Sequence, residues 1–117
     1  MNDLIEQYIA SWNETDPALR RTLLDGLWAE NASYIDPLAE ATGRDQIDAV
    51  IAAAQAQFPG LRFTLIGPVD AHHRQARFTW GLGSEGGEPV VEGFDVAVTD
   101  GDGRLASVLG FLDKVPA

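Results

Sequence analysis

The hydrophobic period of this 117-residue chain passes from mainly helical to alternating at Phe58-Pro59-Gly60. Before that point most apolar residues recur at helical spacing; after it they alternate. Leu4, Ile5, Tyr8, Ile9 and Trp12 form one stripe and predict an amphipathic first helix. Asn13-Glu14-Thr15-Asp16-Pro17 then reads as a stop followed by a start, with Asp16 placed to cap the next helix and Pro17 suited to its first turn. Leu19, Leu23, Leu24, Leu27 and Trp28 make a second stripe, weakened near its end by Gly26. Ala32 to Asp36 reads as a short strand stopped by Pro37, with a loop running on to Gly43-Arg44-Asp45. Ile47, Val50, Ile51, Ala54 and Phe58 predict a third helix, which Pro59-Gly60 breaks.

The second half reads as antiparallel strands. Leu61 to Ile66 is the first; another runs from about Val69 and turns near His73-Arg74-Gln75 into Ala76 to Leu82. Ser84 to Pro89 is a hairpin loop, Val90 to Thr99 a strand, Asp100-Gly101-Asp102-Gly103 a tight turn and Arg104 to Leu112 the last strand. Helices first and a meander of strands after is an α+β order, with one curved, mostly antiparallel sheet wrapped around three helices. Alternation puts Val90, Phe94, Val96 and Val98 on one face of their strand and Asp95 and Ala97 on the other; Leu109 and Phe111 continue the apolar face. If Asp95 points inward, these residues point outward, and an apolar patch of that kind predicts a homodimer through the convex sheet face.

A chain of this length reads as a single domain over residues 1–117, large enough for its own core. With no cysteine, disulfides, thiolate metal sites and cysteine nucleophiles are excluded. A net charge of −10 argues against nucleic acid as a partner. No apolar run reaches membrane-spanning length, and no basic amphipathic helix offers itself to a membrane surface. Met1-Asn2-Asp3 is acidic where a signal peptide would be basic, so cytoplasmic residence is the expectation. Two histidines, His72 and His73, are too few for a histidine-based metal site without carboxylate help, and no phosphate loop, nucleophile elbow or His-Glu-x-x-His motif is present. Asp100 to Gly103 lacks the spaced ligands of a calcium loop. The expectation is therefore no cofactor and no metal.

Several segments occur together in a telling order: Tyr8-Ile9, Tyr34-Ile35-Asp36-Pro37, Gly43-Arg44-Asp45-Gln46-Ile47, Gly67-Pro68-Val69, Phe94-Asp95-Val96 and Gly103-Arg104-Leu105. This set resembles the nuclear-transport-factor-2-like (NTF2-like, SnoaL-like) superfamily of cone-shaped α+β domains, also called cystatin-like. The joint presence of Tyr8, Asp36 and Asp95 resembles ketosteroid isomerase. The resemblance implies a cofactor-free isomerase or polyketide-cyclase-like enzyme that moves a proton beside a ketone of an apolar small molecule. Asp36 would be the general base; Tyr8 and Asp95 would donate hydrogen bonds to the enolate oxygen. It also implies that an apolar setting keeps Asp95 protonated. Ile51 and Leu112 stand where that enzyme carries a second tyrosine and a tryptophan.

Each candidate also has a plainer role. Tyr8 suits a core stripe, Asp36 suits a turn before proline, and an inward Asp95 demands a partner or a proton. Trp12, Trp28, Tyr34, Phe58, Phe63 and Trp80 are candidates to line an aromatic substrate cavity, or simply core. His72 either faces the pocket, as a partner for Asp36 or Asp95, or lies on the surface. Arg77 either turns inward to Asp95 or outward. An inward Arg77 between Asp36 and Asp95 would favour a second enzyme reading, hydrolysis of the limonene-epoxide-hydrolase type. A third reading is a dimeric ligand-binding protein without turnover.

Overall fold

A computed structural model describes residues 1–116 and orders them as three helices and six strands. They are α1 (Asn2–Asn13), α2 (Pro17–Leu27), β1 (Trp28–Ile35), β2 (Glu40–Thr42), α3 (Arg44–Gln57), β3 (Arg62–His72), β4 (Gln75–Gly83), β5 (Val91–Thr99) and β6 (Leu105–Lys114). The strands form one curved, unclosed sheet in the order β2-β1-β6-β5-β4-β3. Among the described residues only the β1–β6 pairing is parallel. The α+β architecture with a mostly antiparallel sheet is the one the sequence predicts.

The α1 stripe buries Ile5, Tyr8, Ile9 and Trp12, and full burial of an apolar side chain of this size contributes roughly 1.5–3 kcal/mol. The end of α1 is clamped to β3. Asn13 Nδ2 donates to the Phe63 carbonyl at 2.8 Å and Asn13 Oδ1 accepts from the Phe63 N–H at 2.7 Å. Asp16 caps α2 as expected, accepting from the Ala18 and Leu19 N–H groups.

The second stripe is narrower than predicted. Leu24 and Leu27 are buried, but Leu19 is 56% exposed. Arg20 takes the inward place beside it. Its guanidinium bonds Asp48 and Gln55 of α3 and the Glu14 carbonyl, so α2 docks there through a partly buried ion pair rather than a leucine. Trp28 does not continue α2; it opens β1, and Arg44 at the start of α3 donates twice to its carbonyl.

Two further differences are local. The segment before Gly43 contains the short strand β2, paired antiparallel with Ser33–Ile35. The two strands expected over Leu61–Ile66 and from Val69 are one, β3, whose register shifts between Ile66 and Asp70. Gly67, at φ 75°, lies within that break, where a bulge needs a residue free to take positive φ. The faces of β5 fall as alternation requires. Val91, Gly93, Asp95, Ala97 and Thr99 are buried, while Phe94, Val96 and Val98 are half-buried on the opposite face.

Candidate active site in an apolar cavity

Asp95 sits in the middle of β5, opposite Phe78 of β4 and Gly110 of β6. It points inward and is 2% exposed. Burial pushes its carboxyl up to about 7, the nearby Asp36 pushes in the same direction, and the Trp80 indole and Tyr8 hydroxyl pull it back only in part. Tyr8 Oη donates to Asp95 Oδ2 at 3.1 Å. The tyrosine is held by edge-on contacts with Trp12, Trp28 and Phe78, with ring centroids 5.8–6.2 Å apart. Burial, and then the Asp95 charge, hold its hydroxyl above the usual tyrosine range.

Asp36 follows the last residue of β1 and is half-buried. Its Oδ1 accepts from the Leu38 and Ala39 N–H groups, both at 2.8 Å, as an aspartate before proline does in a turn. Its Oδ2 accepts from Tyr34 Oη at 2.6 Å. Tyr34 lies two residues earlier, within β1, and so points to the same side. Burial pushes its hydroxyl up, and the charges of Asp95 and Asp36 add to that. Two tyrosine–aspartate pairs thus face the same space, with the Trp12 ring between Tyr8 and Tyr34 at 6.2 and 5.6 Å.

That space is a cavity of about 280 Å³. Tyr8, Tyr34, Asp36 and Asp95 form its polar end. Trp12, Phe58, Phe63 and Trp80 stand in its wall with Leu82 and Leu112. Exposed Leu38 and Val115 lie at its mouth. Among the described residues no lysine or arginine lines it, and no His/Cys/Asp/Glu group has the geometry to hold a metal ion.

Three candidates lie elsewhere. Trp28 is fully enclosed in the core. Arg77 lies on the outer face of β4, where its Nε bonds Asp70 of β3 at 3.0 Å. Alternation gives the inner place opposite Asp95 to Phe78 instead. His72 ends β3 in an exposed position beside His73 and Gln75. Neither Arg77 nor His72 reaches a pocket carboxylate, so the Asp36–Arg77–Asp95 arrangement required for epoxide hydrolysis does not form.

Sequence reasoning missed Gly110. A Cβ there would stand 2.7 Å from Asp95 Oδ1 and 3.4 Å from Asp36 Cβ. A methyl group there would press on Asp95 Oδ1, so the glycine leaves the two aspartates room at one end of the cavity. The signal was present: a lone glycine inside a strand run often marks a close approach.

The SnoaL-like domain family matches residues 5–108 of this sequence. The chain belongs to the SnoaL-like family. A solved SnoaL-like family structure from Agrobacterium tumefaciens strain C58, provisionally named an isomerase, is 44% identical over 95% of each chain, with a TM-score of 0.90. A protein from Sinorhizobium meliloti, provisionally named a polyketide cyclase, is 19% identical over 92% of this chain and 93% of its own, with a TM-score of 0.70. A nuclear-transport-factor-2-like protein from Cytophaga hutchinsonii is 12% identical over 96% of this chain and 88% of its own, with a TM-score of 0.67. The last two are alike in fold alone. No curated protein matches the sequence. Among the described residues of this SnoaL-like chain, no helix is long and apolar enough to cross a membrane.

Proposed function

We propose that this SnoaL-like protein is a cofactor-free enzyme that moves a proton between carbons beside a ketone of a small apolar molecule. One observation carries the reading. A buried tyrosine–aspartic acid pair, Tyr8 and Asp95, lies 3.1 Å apart at the closed end of an apolar cavity that Asp36 also lines. A carboxyl raised to about 7 is substantially protonated near neutral pH, and a protonated Asp95 can donate beside the Tyr8 hydroxyl. A ketone oxygen entering between them takes both donors. Such donors act most strongly on the charge that develops in the transition state, where water is excluded.

Asp36 is the base. Both backbone bonds fall on Oδ1, whereas Oδ2 has one hydrogen bond, from Tyr34. Oδ2 therefore keeps a free lone pair, and Tyr34 fixes where it points. Oδ2 takes a proton from the carbon beside the carbonyl. The C–H electron pair moves into the enolate, whose oxygen Tyr8 and Asp95 hold. Asp36 returns the proton to the γ-carbon of a β,γ-unsaturated ketone, which leaves the conjugated isomer and regenerates the carboxylate.

The test is solvent exchange on cyclohex-3-en-1-one in heavy water, followed by proton NMR. The wild-type protein should speed loss of the α-proton signal and formation of the conjugated isomer. Asp36→Asn should slow both by about 10²-fold or more. An Asp36→Asn rate equal to wild type would sink the assignment of the base. A second reading, ligand binding without turnover, draws on the same aspartate: three of its roughly four acceptor positions are occupied, as in a purely structural turn. Saturable binding of ketones with no exchange would favour it.

A further inference from the structure

Gly93 lies on β5 two residues before Asp95, on the same inner face, and pairs across the sheet with Trp80 of β4. A Cβ built on Gly93 would collide with Cζ2 and Cε2 of the Trp80 ring, about equally, and would stand 2.8 Å from Nε1. A point placed so in the ring plane, outside the Cζ2–Cε2 bond, would lie nearer to Nε1 than to either carbon. A point above the ring lies farther from Nε1, as here. The indole therefore rests with one face against the Gly93 backbone, where no side chain intervenes. Its other face turns away from the sheet. Phe63 meets the ring tilted by 57°, with centroids 5.5 Å apart, and is not stacked on that face. Phe78 and Leu82, on either side of Trp80 along the inner face of β4, are buried. Trp80 itself is only half-buried, and it lines the cavity.

We propose that Trp80, seated on Gly93, determines the specificity of this cavity: it is a platform on which a flat, conjugated ring stacks while the ligand's oxygen reaches Tyr8 and Asp95. The inference rests on the ketone reading above for the oxygen and adds the shape of the body that carries it. Two residues of strand separate Gly93 from Asp95, about 7 Å, so a body that reaches from one to the other has the length of two fused rings. Aromatic faces prefer offset parallel contact. A flat ring makes that contact over its whole face, and a puckered saturated ring touches only through a few hydrogens. Loss of the α-proton flattens a β,γ-unsaturated ring ketone into a conjugated dienolate. The platform then holds the intermediate better than the ketone it came from, which is the direction that speeds the reaction.

The experiment compares 2-naphthol with trans-decahydro-2-naphthol, which share a carbon skeleton and an oxygen and differ in flatness. In the wild-type protein, the ring protons of bound 2-naphthol should move upfield in NMR and show Overhauser contacts to the Trp80 ring protons. Calorimetry should show a preference for 2-naphthol. Trp80→Leu should cut that preference about twofold to tenfold. Trp80→Phe, which keeps a flat ring at a size near that of leucine, should retain most of it. An equal loss in the two variants would show an effect of volume only and overturn the proposal. So would bound 2-naphthol without Overhauser contacts to Trp80, or equal wild-type affinities for the two ligands. Tyr8→Phe separates the two readings. If it leaves 2-naphthol binding unchanged while Trp80→Leu cuts the preference, the platform stands and the ketone reading fails. If it weakens 2-naphthol binding while Trp80→Leu leaves the preference intact, the ketone reading stands and this inference fails.

Discussion

Replacing Asp95 with asparagine keeps the shape of the side chain and removes its charge, at a site that is 2% exposed. The carboxyl lies at about 7 in the folded protein against 3.8 for a free aspartate, a rise of roughly three units, or about 4 kcal/mol at about 1.36 kcal/mol per unit. The sign follows from proton binding. Between pH 4 and 7 the folded state holds a proton that the unfolded chain has lost, so stability falls as pH rises through that window and levels off above it. Between pH 5 and pH 8 the wild-type protein should therefore lose about 3 kcal/mol through this residue alone. Asparagine has nothing to ionise, and its amide still serves as acceptor for Tyr8. Urea unfolding at the two pH values measures the effect. The stability of Asp95→Asn relative to wild type should improve by about 3 kcal/mol on going from pH 5 to pH 8. A relative stability that is the same at both would refute the reasoning, because Asp95 would then be ionised, or neutral, alike in both states.

Gly110→Ala should cost about 1–3 kcal/mol in urea unfolding, since the new methyl meets Asp95 Oδ1 at 2.7 Å and something must shift. It should also reduce the pH dependence just described; full retention of both stability and pH dependence would show that Asp95 has room to move. The outer sheet face carries Phe111 at 58% exposed and Leu109 at 42%, beside half-buried Phe94 and Val96. We propose that a second copy of the chain covers it, so sedimentation velocity should give a dimer and Phe111→Glu a monomer. A wild-type monomer at high concentration would rule this out.

The loss of Arg77 and His72 from the site has a common cause. Each is one step of strand alternation or one strand end away from the cavity. A reading of β4 alone cannot say which parity faces in, because Arg77 and Phe78 both sit in plausible runs. The answer came from pairing: Phe78 lies opposite Asp95 and Arg77 opposite Val96, on a sheet whose inner face is set by the helices. The sequence of β3 reads as two strands because Gly67-Pro68 carries turn chemistry, and the pairing with β4 on both sides of the bulge makes it one. Arg20 took a place expected of leucine because its partners, Asp48 and Gln55, lie far along the chain.

Local chemistry was enough to declare the three helices, the α2 cap, the hairpin turns, the alternation of β5 and the family likeness in Tyr8, Asp36 and Asp95. Period, propensity and short motifs act over a few residues, so a single sequence carries them openly. The tertiary structure alone decided that Tyr8 reaches Asp95 across 87 positions of sequence, that Tyr34 rather than a histidine holds Asp36, and that Gly110 gives both aspartates room. Those contacts depend on the register of β5 and β6 and on where α1 crosses the sheet. A site's chemistry resides in distances and burial, and both are set when distant segments pack, since burial, with Asp36 close by, is what raises Asp95.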